Sequence, residues 1–173
     1  MGGVTTLRIM ITTRIKSPAD CTSTELDAFE TLVLQGGEVT PTGLRQRICS
    51  AAHLLFLSDS AGTLVGISAL KHPSVAYRAK VFQQAQASAS SALFPVELGW
   101  IFVVPSHQGQ HLSRPLVEHV LPYAAGSLVY ATTRADNERM QRTLARYGFL
   151  RDGVAYPSEL GDYNLVLFVR HAK

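Results

Sequence analysis

Between Glu97 and Leu121 the chain reads Glu-Leu-Gly-Trp-Ile-Phe-Val-Val-Pro, Ser-His-Gln-Gly-Gln-His-Leu-Ser, Arg-Pro-Leu-Val-Glu-His-Val-Leu. The block from Leu98 to Val104 is apolar, rich in β-branched and aromatic residues, and stopped by Pro105, which predicts a short strand buried on both faces. Leu116, Val117, Val120 and Leu121 then recur at helical spacing, and Pro115 suits the first turn of that helix. A strand, a polar turn and a helix in this order belong to a layered fold in which helices cover a sheet. A helix start also leaves backbone N–H groups free for an anion, so Gln108 to Ser113 is a candidate phosphate cradle. A plain connection between strand and helix reads the same way, so the turn alone does not decide function.

The flanking segments supply the remaining layers. Residues 7–16 alternate enough to predict a first strand at a sheet edge. Thr22-Ser23-Thr24-Glu25 is a capping box, and it opens a helix with Leu26, Phe29, Leu32 and Val33 on one face and Gly36-Gly37 at its end. Thr40-Pro41 offers an N-cap and a first-turn proline for a second helix, with Leu44 and Ile48 inward. His53 to Ser58 and Thr63 to Leu70 read as strands around a turn at Asp59 to Gly62. Ala76 to Gln86 is a candidate helix with Tyr77, Val81 and Phe82 partly inward, and Ala87 to Ala92 is a loop. Ser127 to Thr133 predicts a strand, and Asp136 the cap of a helix carrying Met140, Leu144 and Tyr147. Phe149 to Val154 and Asn164 to Val169 close the chain as a hairpin of two strands.

With 173 residues, 46% of them hydrophobic and 17% charged, the chain suits one ordered domain spanning 1–173, with 1–9 the part most open to flexibility. The net charge of +3 is small, and Arg45, Arg47, Arg139, Arg142, Arg146 and Arg151 read as dispersed, which argues against a nucleic-acid surface. No apolar run reaches the length of a membrane span, and the first residues lack a secretory leader. Met1 to Thr6 fits the short myristoylation pattern only loosely. Cys21 and Cys49 read as reduced thiols of a cytoplasmic protein, and the six histidines lack metal-ligand spacing.

Three spaced features together resemble the GNAT superfamily of acyl-CoA-dependent N-acyltransferases. Val103-Val104-Pro105 resembles the end of that family's central strand, and Gln108 stands at the first position of its Gln/Arg-x-x-Gly-x-Gly/Ala loop. Gly109 is often glycine there; His111 replaces the usual glycine, and Ser113 a glycine or alanine. Asn137, then Gly148-Phe149, resembles the second motif, with Leu144 where its tyrosine would be. Glu97, six residues before Val103, occupies the position of the family's general base. The resemblance covers about residues 7–170. It implies an α/β (α+β) domain with a mixed, mostly antiparallel sheet of about six or seven strands, about four flanking helices and one splayed pair of parallel strands, 97–104 and 128–133.

The chemistry implied is acetyl transfer from acetyl-CoA to a primary amine. In that reading the pantetheine arm pairs with backbone near Phe102, Val103 and Val104, the pyrophosphate lies over Gln108, Gly109, Gln110, His111, Leu112 and Ser113, and Asn137 and Met140 border the arm. Glu97 takes the proton of the amine, and Tyr147 is the nearest substitute for the missing tyrosine acid. Tyr77 and Arg78 are candidate acceptor contacts. The acceptor is a small-molecule or peptide amine; no metal, nucleic acid or membrane is implied, and a homodimer through the terminal strands is open. His111 and Leu144 keep a second class open, a catalytically degenerate domain of the same type that binds CoA or a partner.

Overall fold

The structure is a computed structural model that describes residues 10–171; the myristoylation pattern and the first residues of the predicted opening strand lie outside them. The elements are β1 (Thr12–Lys16), α1 (Ser23–Gly36), α2 (Leu44–Cys49), β2 (His53–Ser58), β3 (Leu64–Lys71), α3 (Val75–Gln84), β4 (Val96–Val103), α4 (Ser113–Glu118), β5 (Val129–Arg134), α5 (Glu138–Arg146), β6 (Leu150–Pro157) and β7 (Asn164–Arg170). All seven strands form one sheet in the order β1-β2-β3-β4-β5-β7-β6. Every neighbouring pair is antiparallel except β4 and β5, which run parallel. This is the expected mixed sheet. The last strand inserts beside β5, so β1 and β6 hold the two edges.

Alternation along the strands sends their side chains to two differently covered faces. Leu55, Val65, Leu98, Val129 and Ala131 pack under α4 and α5 with Leu116, Val117 and Leu144. On the opposite face, Leu54, Phe56, Ile67 and Ala69 meet Phe29, Leu32, Val33, Leu44 and Ile48 of α1 and α2. On that same face, farther across the sheet, Val81, Phe82 and Ala85 of α3 cover Tyr130, Tyr156 and Leu167.

Several boundaries differ from the sequence reading for local reasons. α2 starts after Gly43, at φ +70°, with Pro41 in the preceding turn rather than in the helix. α3 begins at Val75 because the Ser74 side chain accepts the N–H of Tyr77, and Tyr77 lies outward with 48% of its surface exposed. α5 is capped by Asn137, whose Oδ1 accepts the N–H of Met140, and not by Asp136. α4 stops at Glu118: Pro122 has no N–H to continue the ladder, and the chain passes into a 3-10 turn. The buried Ser68 hydroxyl donates to the Leu116 carbonyl at 2.7 Å and pins this short helix to β3.

The capping box forms as read. Glu25 accepts from the Thr22 N–H, Thr22 accepts from the Glu25 N–H, and Lys16 of β1 donates to the same carboxylate. The hydrogen bond from Lys16, then the one from the Thr22 backbone, hold Glu25 down at about 2 against an ordinary 4.5. A carboxyl lowered by folding stabilises fully above its unfolded value and loses that contribution as pH falls from about 4.5 towards 2. Glu25→Ala should lower stability by about 1 kcal/mol near pH 7. Denaturant titrations repeated down to pH 2 should show that difference shrinking; a constant difference would separate Glu25 from the acid-sensitive part of the fold.

Candidate active site

β4 and β5 share only two rungs, Val96 with Val129 and Glu97 with Tyr130. Both strands continue, to Val103 and Arg134, without meeting again. A bulge on β4 accounts for the divergence. Gly99 pairs with Ala69 and Phe102 with Ile67, so Trp100 and Ile101 together oppose Ser68, and Trp100 takes φ +50°. Such a bulge bends its strand and increases its twist. β4 is consequently buried over Val96, Glu97 and Leu98 but only half-buried from Gly99 to Val103. This corrects the expectation of a strand covered on both faces throughout: past the bulge it has lost a neighbour.

On the α4–α5 face the gap widens into a cleft of about 710 Å³. Phe102, Val103, Gln108, Gly109, His111, Leu112 and Ser113 line it from the strand end and turn, and Asn137 and Met140 from α5. Two other expected residues stand aside. The Val104 N–H donates to Val65 of β3 at 2.9 Å, so it is not free to face the gap, and Gln110 is an exposed turn residue outside the lining. His111 sits at φ +60°, the left-handed conformation for which the usual residue is glycine, and its imidazole is exposed. The turn thus keeps a glycine-like backbone with a histidine in it. Gln108 folds back and donates to the Val103 carbonyl at 2.9 Å.

Four arginines also reach this cleft: Arg114 from α4, and Arg139, Arg142 and Arg146 from α5. Of the six arginines read as dispersed, Arg139, Arg142 and Arg146 share this cleft, while Arg45, Arg47 and Arg151 do not line it. Positions 139, 142 and 146 lie three and four residues apart, on one helix face.

Glu97 points to the other face of the sheet. It retains 4% of its surface, and its Oε2 accepts the Tyr130 hydroxyl at 3.2 Å and pairs with Lys71 Nζ at 3.1 Å. Lys71 comes from β3, directly opposite Glu97 in the antiparallel register, and its ammonium lies 4.8 Å from the centre of the Trp100 ring. Gly99 makes room for it: a Cβ there would stand 2.9 Å from Lys71 Cδ. Burial, reinforced by Glu97, pushes the Tyr130 hydroxyl far up, so it stays a proton donor. The charge of Glu97, then burial, raises the pKa of the Tyr77 phenol. Lys71, Tyr130 and Trp100 escaped the sequence reading because register and bulge bring them to Glu97.

Tyr147 is not part of either group. Its hydroxyl donates to Glu118 at 3.3 Å, and it borders a separate cleft of about 320 Å³ with Leu121, Pro122 and Arg170. Burial, then Glu118, raises its pKa. The reason is geometric: Tyr147 is the C-cap of α5, past the turn that carries Met140 and Thr143 to the large cleft. Leu144 is fully buried under the sheet. Among the described residues no cluster of three metal-ligating side chains forms, and no helix is long and apolar enough to cross a membrane.

Comparison with known proteins agrees with this arrangement. An acyl-CoA N-acyltransferase from Pseudomonas aeruginosa is 20% identical, with a TM-score of 0.68 over 93% of this chain and 99% of its own. Escherichia coli ElaA is 15% identical, with a TM-score of 0.69 over 94% of this chain and all of its own. Arabidopsis thaliana NAA60, solved in complex with acetyl-CoA, is 17% identical, with a TM-score of 0.64 over 92% of this chain and 97% of its own. No curated protein matches in sequence. The profile of the acetyltransferase (GNAT) family matches residues 34–149, from the end of α1 to the Phe149 that closes the second motif. With two thirds of its sequence under that profile and its strands parted where the fold parts them, the chain belongs to the GNAT family of acetyltransferases.

Proposed function

We propose that the chain transfers an acetyl group from acetyl-CoA to a primary amine by direct attack, with Glu97 as general base. One observation carries the reading. A basic cleft lies on one face of the sheet where β4 and β5 part, and a buried carboxylate stands at the last shared rung on the other face. Two reactants entering from opposite faces would meet where the strands part.

Each residue then has a task that its position supports. Arg114, Arg139, Arg142 and Arg146 attract the phosphates of acetyl-CoA, and the turn from Gln108 to Ser113 offers backbone N–H groups to the pyrophosphate. The unpaired part of β4, near Phe102 and Val103, is an edge along which the pantetheine amides can lie as an added strand. Asn137 spends its Oδ1 on the helix cap, which leaves its amide hydrogens to donate towards that arm. Glu97 accepts the proton as the amine nitrogen bonds to the thioester carbon and the CoA thiolate departs. Lys71 pairs with the carboxylate in the free protein, and an incoming ammonium would exchange with it. No side chain is assigned to protonate the thiolate; water suffices for a leaving group of this acidity.

The degenerate alternative rests on Leu144, which fills the core where a tyrosine acid would stand. Binding and turnover separate the two readings. Acetyl-CoA at about 100 times its Kd should stabilise the protein by about 2.7 kcal/mol, a Tm rise of about 5 to 10 °C. Thiol release with a panel of primary amines should follow. A large shift without thiol release from any amine would favour the degenerate domain. No shift at millimolar acetyl-CoA would remove the cofactor site.

A further inference from the structure

α3 and β6 carry two buried donors that nothing in the protein satisfies. Arg78 Nε is shut off from solvent without a hydrogen-bond partner, and so is the hydroxyl of Tyr156, a residue with 5% of its surface exposed. Among the described residues, no carboxylate comes within ion-pairing distance of Arg78. Both belong to the wall around Glu97. Arg78 lies one helical turn before Phe82 on α3; Phe82 packs on Tyr130 with ring centres 5.3 Å apart and shares its cluster with Tyr156. Tyr130 in turn holds Glu97. The charges reach one another as well: burial and Glu97 raise Tyr130 while Arg78 opposes them, and Tyr156 is raised by burial and then by Glu97.

An unmade hydrogen bond in a buried place is rare in a folded protein and calls for an explanation. Arginine can only donate, and a tyrosine whose pKa is raised remains a donor. Two unpartnered donors, one of them on a positively charged side chain without an ion pair, stand in the wall around Glu97, so the partner they lack is an anion with acceptor oxygens. Glu97 does not serve: its carboxylate makes no ion pair with Arg78, and its Oε2 is taken by Lys71 and Tyr130. We propose that the acceptor is an amine that also carries a carboxylate, held by Arg78 and the Tyr156 hydroxyl while its nitrogen faces Glu97. The inference rests on the acetyl-transfer reading above and narrows it. It disfavours polyamines, which would bring further positive charge beside Lys71 and Arg78.

Matched acceptors test it. L-amino acids, β-alanine and γ-aminobutyrate are each compared with the corresponding carboxamide, which keeps the amine and loses the charge. Thiol release should show kcat/KM at least about tenfold higher for the carboxylate in one or more pairs. Arg78→Met should erase that preference, with the change carried by KM for the carboxylates. Tyr156→Phe should weaken the carboxylates while Tm stays level or rises, the opposite of what a structural hydroxyl would do. A second arm is independent of turnover: with CoA present, the N-acetyl acids should raise Tm more than the N-acetyl amides in the wild type, and equally in Arg78→Met. Equal behaviour of acids and amides in both arms, or a preference that survives Arg78→Met, overturns the proposal. Failure of the acetyl-transfer reading looks different: acetyl-CoA would then leave Tm unchanged and no amine, charged or neutral, would release thiol.

Discussion

Glu97→Gln should lower turnover by about 10²- to 10⁴-fold while acetyl-CoA binds as in the wild type, the range expected when a positioned general base is removed. Glutamine keeps the shape of the side chain and can still accept the Tyr130 hydroxyl. Lys71 loses its ion pair but stays over the Trp100 ring with part of its surface in water, so the fold should survive. The cleft proposed for acetyl-CoA lies on the other face of the sheet and is lined by none of these residues. Steady-state thiol release and a thermal titration with acetyl-CoA would read the two effects separately. If the variant turned over at the wild-type rate, Glu97 would lose the role of base; if acetyl-CoA affinity fell in step with rate, the separation of the two faces would be at fault.

Gly153→Ala should be the most destabilising alanine substitution among the described glycines. Gly153 sits at φ +77° in the irregular part of β6, and a Cβ built there would stand 1.9 Å from the Ala85 carbonyl oxygen and 2.9 Å from its carbon. That carbonyl cannot step aside, because it accepts the Val154 N–H at 2.7 Å and joins the end of α3 to β6. Left-handed strain of about 1–2 kcal/mol and overpacking of about 1–3 kcal/mol add to a loss of about 2–5 kcal/mol. The Tm should drop by roughly 5 to 15 °C. Gly109→Ala is the control: its φ is +80° but nothing lies within 4 Å of the added Cβ, so only the strain should register. Equal losses in the two variants would show that contact with Ala85 is unimportant. Because α3 carries Tyr77 and Arg78 and β6 carries Tyr156, the variant should weaken handling of the acceptor more than binding of acetyl-CoA.

Both results bear on how the site divides between local and distant information. Glu97, Gln108 to Ser113 and Asn137 were singled out by the resemblance of spaced motifs; the strand, turn and helix that carry them were legible locally, but the helix cap was read one residue early, at Asp136. The Thr22–Glu25 box is the clearest case and forms as written. Tyr147 was misplaced because helical periodicity was extended to a residue that ends the helix. Lys71 is opposite Glu97 only through the register of β3 with β4, and a slip of one residue would turn it to the other face.

The order of strands and helices, the caps, the apolar faces and the carboxylate at the head of the central strand were set by neighbours in the chain. The depth of the split between β4 and β5, the gathering of four arginines at one cleft, and the unsatisfied Arg78 and Tyr156 were decided by tertiary packing. Helical period and capping depend on residues within about one or two turns of each other. A gap between strands, or a charge left without a partner, depends on what segments far apart in sequence bring, or fail to bring, to one place.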